Sequence, residues 1–157
     1  MKIKLIAVGK LKEKYLKDAF NEYKKRLSKY GDVIELEVDE YKINEENDSN
    51  IKIAIQKEGE RILSKIKNED FVLLFDLWGK EVDSVELAHI VERSLINYSN
   101  IDIVIGGSYG LSDEVRNRSN FKLSLSKLTL PHQIVRVIAL EQLYRCFKIN
   151  NNEKYHK

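Results

Sequence analysis

Five consecutive apolar residues, Phe71-Val72-Leu73-Leu74-Phe75, show no alternation with polar ones. A strand with one wet face alternates, so an unbroken run predicts a strand covered on both faces, as in a parallel sheet held between helix layers. The flanking sequence supplies those layers. Residues 2–8 read as a buried strand, and 12–29 as an amphipathic helix with Leu16, Ala19, Phe20, Tyr23 and Leu27 at helical spacing. Residues 33–38 alternate apolar and acidic side chains, as an outer strand would, and a polar loop at 41–50 leads to a helix over 51–67. After the run at 71–75 come a helix over 84–97, a strand at 101–105, a short helix near 112–118 and a strand at 121–125. Pro131 then opens a last helix to about Ile149. This strict alternation predicts an α/β fold, a mostly parallel sheet sandwiched by helices. With no repeat, linker or low-complexity tract, the 157 residues read as one domain, 1–157.

Composition narrows the setting. The chain is 43% hydrophobic and 33% charged, which suits a globular domain rather than a disordered one. No apolar run approaches the roughly 20 residues that cross a bilayer, so no membrane partner is expected. The lone cysteine, Cys146, lies in an apolar helical run and reads as a packed thiol in a reducing cytoplasm. The net charge of +2 conceals a segregation: +7 over residues 1–30, −8 over 31–130 and +3 over 131–157. The basic strip of Lys10, Lys12, Lys14, Lys17, Lys24, Lys25, Arg26 and Lys29 is either a solvated helix face or a surface for RNA phosphate.

Glycines cluster after the predicted strands. Gly9, Gly79, Gly106, Gly107 and Gly110 all follow one, and ligands of open α/β sheets bind beyond the carboxyl ends of strands. Glycines also make tight turns, which suffices for Gly9; three such loops in succession favour a pocket. "GGSYG" (106–110) is neither a dinucleotide fingerprint nor a nucleophile elbow, and no G-x-x-x-x-G-K-[ST] occurs. His89, His132 and His156 are scattered, so no metal set is expected. What remains is a ligand held by backbone groups and an apolar slot, such as a nucleoside-bearing cofactor without phosphates.

A third feature bears on that pocket. "LSLSKLTLPHQ" (123–133) alternates leucine with small polar residues until the apolar parity flips between Leu125 and Leu128. Since a one-residue slip exchanges the faces of a strand, the segment is either bulged or bent toward a ligand.

"IAVGKLKEKY" (6–15), "FDLWGK" (75–80), "VIGGSYGL" (104–111), "LSLSKLTLPHQIVRVIALEQLYR" (123–145) and the terminal "YHK" (155–157) together closely resemble the ribosomal RNA large-subunit methyltransferase H family of the SPOUT superfamily. The resemblance covers essentially the whole chain. It implies an S-adenosyl-L-methionine-dependent enzyme that methylates N3 of a pseudouridine in 23S rRNA within the ribosome, with no DNA partner. It further implies a homodimer and a C-terminal trefoil knot, which local pattern alone would not suggest. The family's cofactor contacts fall here on Phe75, Gly106, Leu125, Ser126, Lys127, Leu128, Thr129 and Leu130. Phe75 stands where the family commonly has leucine.

The neutral imide N3 needs proton removal or charge stabilisation before it can attack. His132, Arg136, Tyr155 and His156 are the candidate catalytic groups. Each has a plainer reading: His132 can pack or cap at a helix start, Arg136 can be structural, and the tail can fray. Arg145 reads as an ion-pair partner of Glu141 one turn earlier. Two other functions fit the same pattern, a SPOUT methyltransferase acting on tRNA and a non-catalytic flavodoxin-like binding module. The chain lacks an added tRNA-recognition domain, which disfavours the former.

Overall fold

The computed structural model describes residues 1–157. Strands β1 (Lys2–Val8), β2 (Asp32–Val38), β3 (Asp70–Lys80), β4 (Asn100–Ile105) and β5 (Phe121–Leu123) alternate with helices α1 (Lys14–Leu27), α2 (Asp48–Leu63), α3 (Ser84–Asn97), α4 (Asp113–Arg118) and α5 (His132–Asn150). The strands form one sheet in the order β2-β1-β4-β3-β5, and every pairing is parallel.

Strand alternation sorts the core into two layers. Ile3, Leu5, Ala7, Leu73, Ile101 and Ile103 point to the face covered by α1, α3 and α5, through Phe20, Leu87, Val91, Leu140 and Leu143. Ile6, Val8, Val72, Leu74 and Val104 point to the other face, under Ile62 of α2 and Val115 of α4. The unbroken run in β3 is therefore covered on both sides. β2 lies at the edge, as its alternation suggested.

Helix starts follow capping chemistry. Asn47 accepts the Asn50 amide at 2.9 Å, so α2 begins at Asp48, three residues before the apolar pattern does. Asp83 and Ser112 cap α3 and α4 in the same way.

The departures from expectation lie where chain meets chain. β3 does not stop at Phe75: "DLWGK" continues it to Lys80, with a register irregularity between Phe75 and Lys80. β5 ends at Leu123 rather than Leu125 because its partner's irregular stretch leaves little to pair with, and the Ser124 amide makes the last bond, to the Lys80 carbonyl at 3.0 Å. Pro131 is the cap preceding α5, with its carbonyl accepting from Val135, rather than the first helical residue.

Candidate active site

α3, which follows β3, and α4, which follows β4, lie on opposite faces of the sheet. Neighbouring strands whose crossovers diverge leave a crevice at their carboxyl ends. A cleft of about 350 Å³ opens there. It is lined by Phe75–Trp78 at the end of β3, Ile105–Leu111 after β4, and Leu123–Ser126 and Leu128–Leu130 after β5, with His132 and Val135 from α5.

Local chemistry explains each wall. Gly106 is crowded: a side chain there would begin 2.8 Å from Leu111, so only glycine brings the backbone to the cleft. The segment after β5 is a bend held by its serines. Ser124 Oγ donates to the Ser126 carbonyl at 3.0 Å, and Ser126 Oγ accepts the Leu128 amide at 2.9 Å. Leucines flank this polar knot: Leu125 is half-buried, while Leu128 is largely exposed at the mouth beside Trp78.

Seven of the eight residues expected at the cofactor, Phe75, Gly106, Leu125, Ser126, Leu128, Thr129 and Leu130, line this cleft, and Lys127 is exposed outside it. His132 stands on its wall. Arg136 does not. It is fully buried, its guanidinium committed to Glu37 at 2.8 Å, to Glu35 at 3.6 Å and to the carbonyls of Val8 and Gly9. It clamps α5 to the ends of β1 and β2.

The tail lies elsewhere in the same chain. Tyr155 donates to Glu141 Oε1 at 3.0 Å and packs edge-on against Tyr144, while His156 Nδ1 stands 3.3 Å from Arg145. Glu141 and Arg145 are nine and thirteen residues along α5 from His132, about 14 and 20 Å at the helical rise. Burial, with hydrogen bonds to Tyr23 and Glu141, pushes the Tyr155 hydroxyl up to about 12, so it holds its proton and acts as a donor. Arg145 forms its expected pair with Glu141. The Cys146 thiol is buried and pushed up to about 12 by that burial, which leaves it inert.

Two lining residues escaped the sequence reading. The Asp76 carboxylate accepts from Arg116 Nε at 2.9 Å and from the Trp78 amide at 3.2 Å, and Arg116 also donates to the Leu111 carbonyl. An aspartate directly after a buried strand was the available signal for half of this pair; nothing local marked Arg116.

The cleft suits a phosphate-free nucleoside cofactor. Eleven of its 21 lining residues are hydrophobic, no lysine lines it, and its one arginine is neutralised by Asp76. A cationic sulfonium would meet no unpaired positive charge there.

The family described as "Predicted SPOUT methyltransferase" matches residues 1–156. The chain is 51% identical over 159 residues to the "Ribosomal RNA large subunit methyltransferase H" of Clostridium novyi and 52% identical over 159 residues to that of Clostridium acetobutylicum, covering 100% of both chains in each case. Among solved structures, the tRNA (m1G37) methyltransferase from Aquifex aeolicus superposes with a TM-score of 0.52 at 16% identity, covering 92% of this chain and 70% of that one, a likeness of fold.

Proposed function

The chain belongs to the SPOUT methyltransferase family, and from that premise we propose that it transfers a methyl group from S-adenosyl-L-methionine to N3 of a pseudouridine in 23S rRNA. The observation that carries this reading is the end-to-end match to relatives named as large-subunit rRNA methyltransferases, whose shared segments converge here on one cleft. When bound, the cofactor supplies an electrophilic methyl group with its own leaving group.

The chain's task is then to orient, to exclude water and to move a proton. Phe75, Leu125 and Leu130 wall the adenosine, and the backbone at Gly106 and through the 124–130 bend offers it polar groups. Fixing both reactants in line supplies much of the rate. His132, at the cleft wall, accepts the N3 proton. Arg136 acts as a positioning residue: by fastening α5 to the carbonyls of Val8 and Gly9, it sets where His132 stands.

Tyr155 and His156 lie too far along α5 to reach the cleft of their own chain, so in this reading they serve the cleft of a second copy in a homodimer. Threading of the C-terminal segment into a trefoil knot within a single 1–157 domain belongs to the same proposal. Its support is the passage of Leu123 and Ser124 against Lys80, where the chain leaves β3, followed by α5 packing on both α1 and α3.

The test is mass spectrometry of rRNA after ribosomes are incubated with the protein and isotopically labelled cofactor. A labelled N3-methylpseudouridine is expected. Label on tRNA alone, or no cofactor binding by calorimetry, would sink the proposal in favour of a tRNA enzyme or a binding module.

A further inference from the structure

A second concavity, of about 760 Å³, opens beside the cleft where β1 and β2 end. His132 is the wall that the two share. Their chemistry differs sharply. None of the nine residues around this basin is hydrophobic, and Lys10, Lys12, Lys42 and Arg61 outnumber Asp39 and Glu40.

The cations here are unusually free. Lys14 and Arg26 on the adjacent α1, and Lys29 just after it, are paired with Asp18, Glu22 and Glu153. Lys10, Lys12 and Lys42 have no carboxylate within ion-pair distance and are exposed to water. Their supports are nonetheless ordered. Arg61 donates to the Asp39 carbonyl at 2.7 Å and stacks over Tyr41, and the Lys12 amide donates to the Gln133 side chain at 3.1 Å. That last bond fastens the lysine-bearing loop to the start of α5, next to His132.

A wet, apolar-free floor ringed by unpaired ammonium groups suits oxyanions and offers nothing to a base. Neutralising phosphates with such lysines releases counterions, and phosphate contacts set the register of a nucleic acid without reading its sequence. A base reaching the cleft must leave its stack, so its backbone has to run across the neighbouring surface. We propose that this basin holds the phosphodiester backbone of an unpaired RNA segment whose target base enters the cleft past His132. The inference rests on the rRNA methyltransferase reading and adds where on this chain the substrate lies.

The test compares two triple charge reversals of equal size. One is Lys10→Glu/Lys12→Glu/Lys42→Glu in the basin. The other is Lys2→Glu/Lys65→Glu/Lys67→Glu, at the opposite, amino-terminal ends of the strands. Binding to isolated large ribosomal subunits is measured across a salt series, with cofactor affinity by calorimetry and fold by circular dichroism alongside. The basin variant should bind subunits at least tenfold more weakly, and its log–log salt slope should flatten by about 0.7 per lost phosphate, roughly 2 in all. Cofactor affinity should be unchanged, and the control should bind like the parent protein. Equal slopes for the two variants, or parallel loss of cofactor binding in the basin variant, would overturn the inference. Because binding is read without turnover, the two proposals fail separately. A parent protein that binds through the basin but transfers no methyl group keeps the basin and loses the activity. Methylation with a basin variant that binds like the control does the reverse.

Discussion

Arg116 Nε donates to the Asp76 carboxylate at 2.9 Å, joining α4 to the end of β3 across the cleft. The same guanidinium donates to the Leu111 carbonyl, so one side chain ties together two of the cleft's three walls. Replacing it, Arg116→Ala, leaves a carboxylate that is 4% exposed without its cation. We expect a stability loss of about 1–3 kcal/mol, since the arginine itself is partly exposed, and a weaker cofactor site. Urea denaturation and calorimetry with S-adenosyl-L-methionine measure the two effects.

Gly79 governs the third wall. A side chain there would begin 2.7 Å from the Lys122 carbonyl group, which is backbone and cannot swing away. Gly79→Ala should separate β3 from β5, costing about 1–3 kcal/mol, and shift the bend at 124–130. Denaturant unfolding should show the loss, and cofactor affinity should fall with it.

His132 and Arg136 should separate by the kind of defect each causes. His132→Ala is expected to lower kcat by about 10²–10⁴-fold while leaving the fold and cofactor binding intact. Arg136→Ala strands Glu35 and Glu37 beside a buried void and should cost about 3–5 kcal/mol of stability. Steady-state kinetics together with unfolding curves distinguish the two; a fully stable Arg136→Ala protein would contradict the clamp.

Removal of residues 155–157 should abolish methylation while the unfolding transition of the remaining chain persists. Only the contacts of Tyr155 and His156 with Glu141, Tyr144 and Arg145 are lost. Full activity in the truncated protein would rule out a role for the tail in any cleft.

One ammonium serves two carboxylates on the α2–α4 face. Lys4 Nζ lies 2.7 Å from Asp70 and 3.0 Å from Asp102. Burial raises Asp102 from 3.8 to about 7, outweighing Lys4, with the charge on Asp70 adding to the rise. Asp70 is also buried, but Lys4, Asn100 and the Lys67 amide together hold it down to about 2. A carboxyl raised in the folded state favours folding below its unfolded value of 3.8, and that contribution is lost as pH climbs to about 7. Asp70 works in the opposite sense, its contribution present above 3.8 and lost as pH falls toward 2. The stability of Asp102→Asn relative to the parent should therefore rise between about pH 4 and 7 and level off above that. Urea titrations across this range would show it, and a pH-independent difference would contradict it.

Much of this arrangement was legible in the chain. The run Phe71–Phe75 announced a sheet buried on both faces because continuous apolarity has no other use in a strand. The parity flip at Leu125–Leu128 marked the bend, since a regular strand through it would have turned one leucine pair to water. Less was legible wherever function depends on groups distant in sequence. Glu35 and Glu37 read as outward acidic positions of an outer strand, yet they face the α1–α5 layer because Arg136, about 100 residues later, is buried against them.

The order of elements, the parallel character of the sheet and the cluster of strand-end loops followed from local periodicity, which is a property of neighbouring residues. The position of β4 between β1 and β3, the burial of Arg136 and the meeting of Lys4 with Asp70 and Asp102 were decided only by the tertiary structure. Each depends on a partner at least 60 residues away, and no local pattern encodes which buried charge will find which counter-charge once the strands are laid side by side.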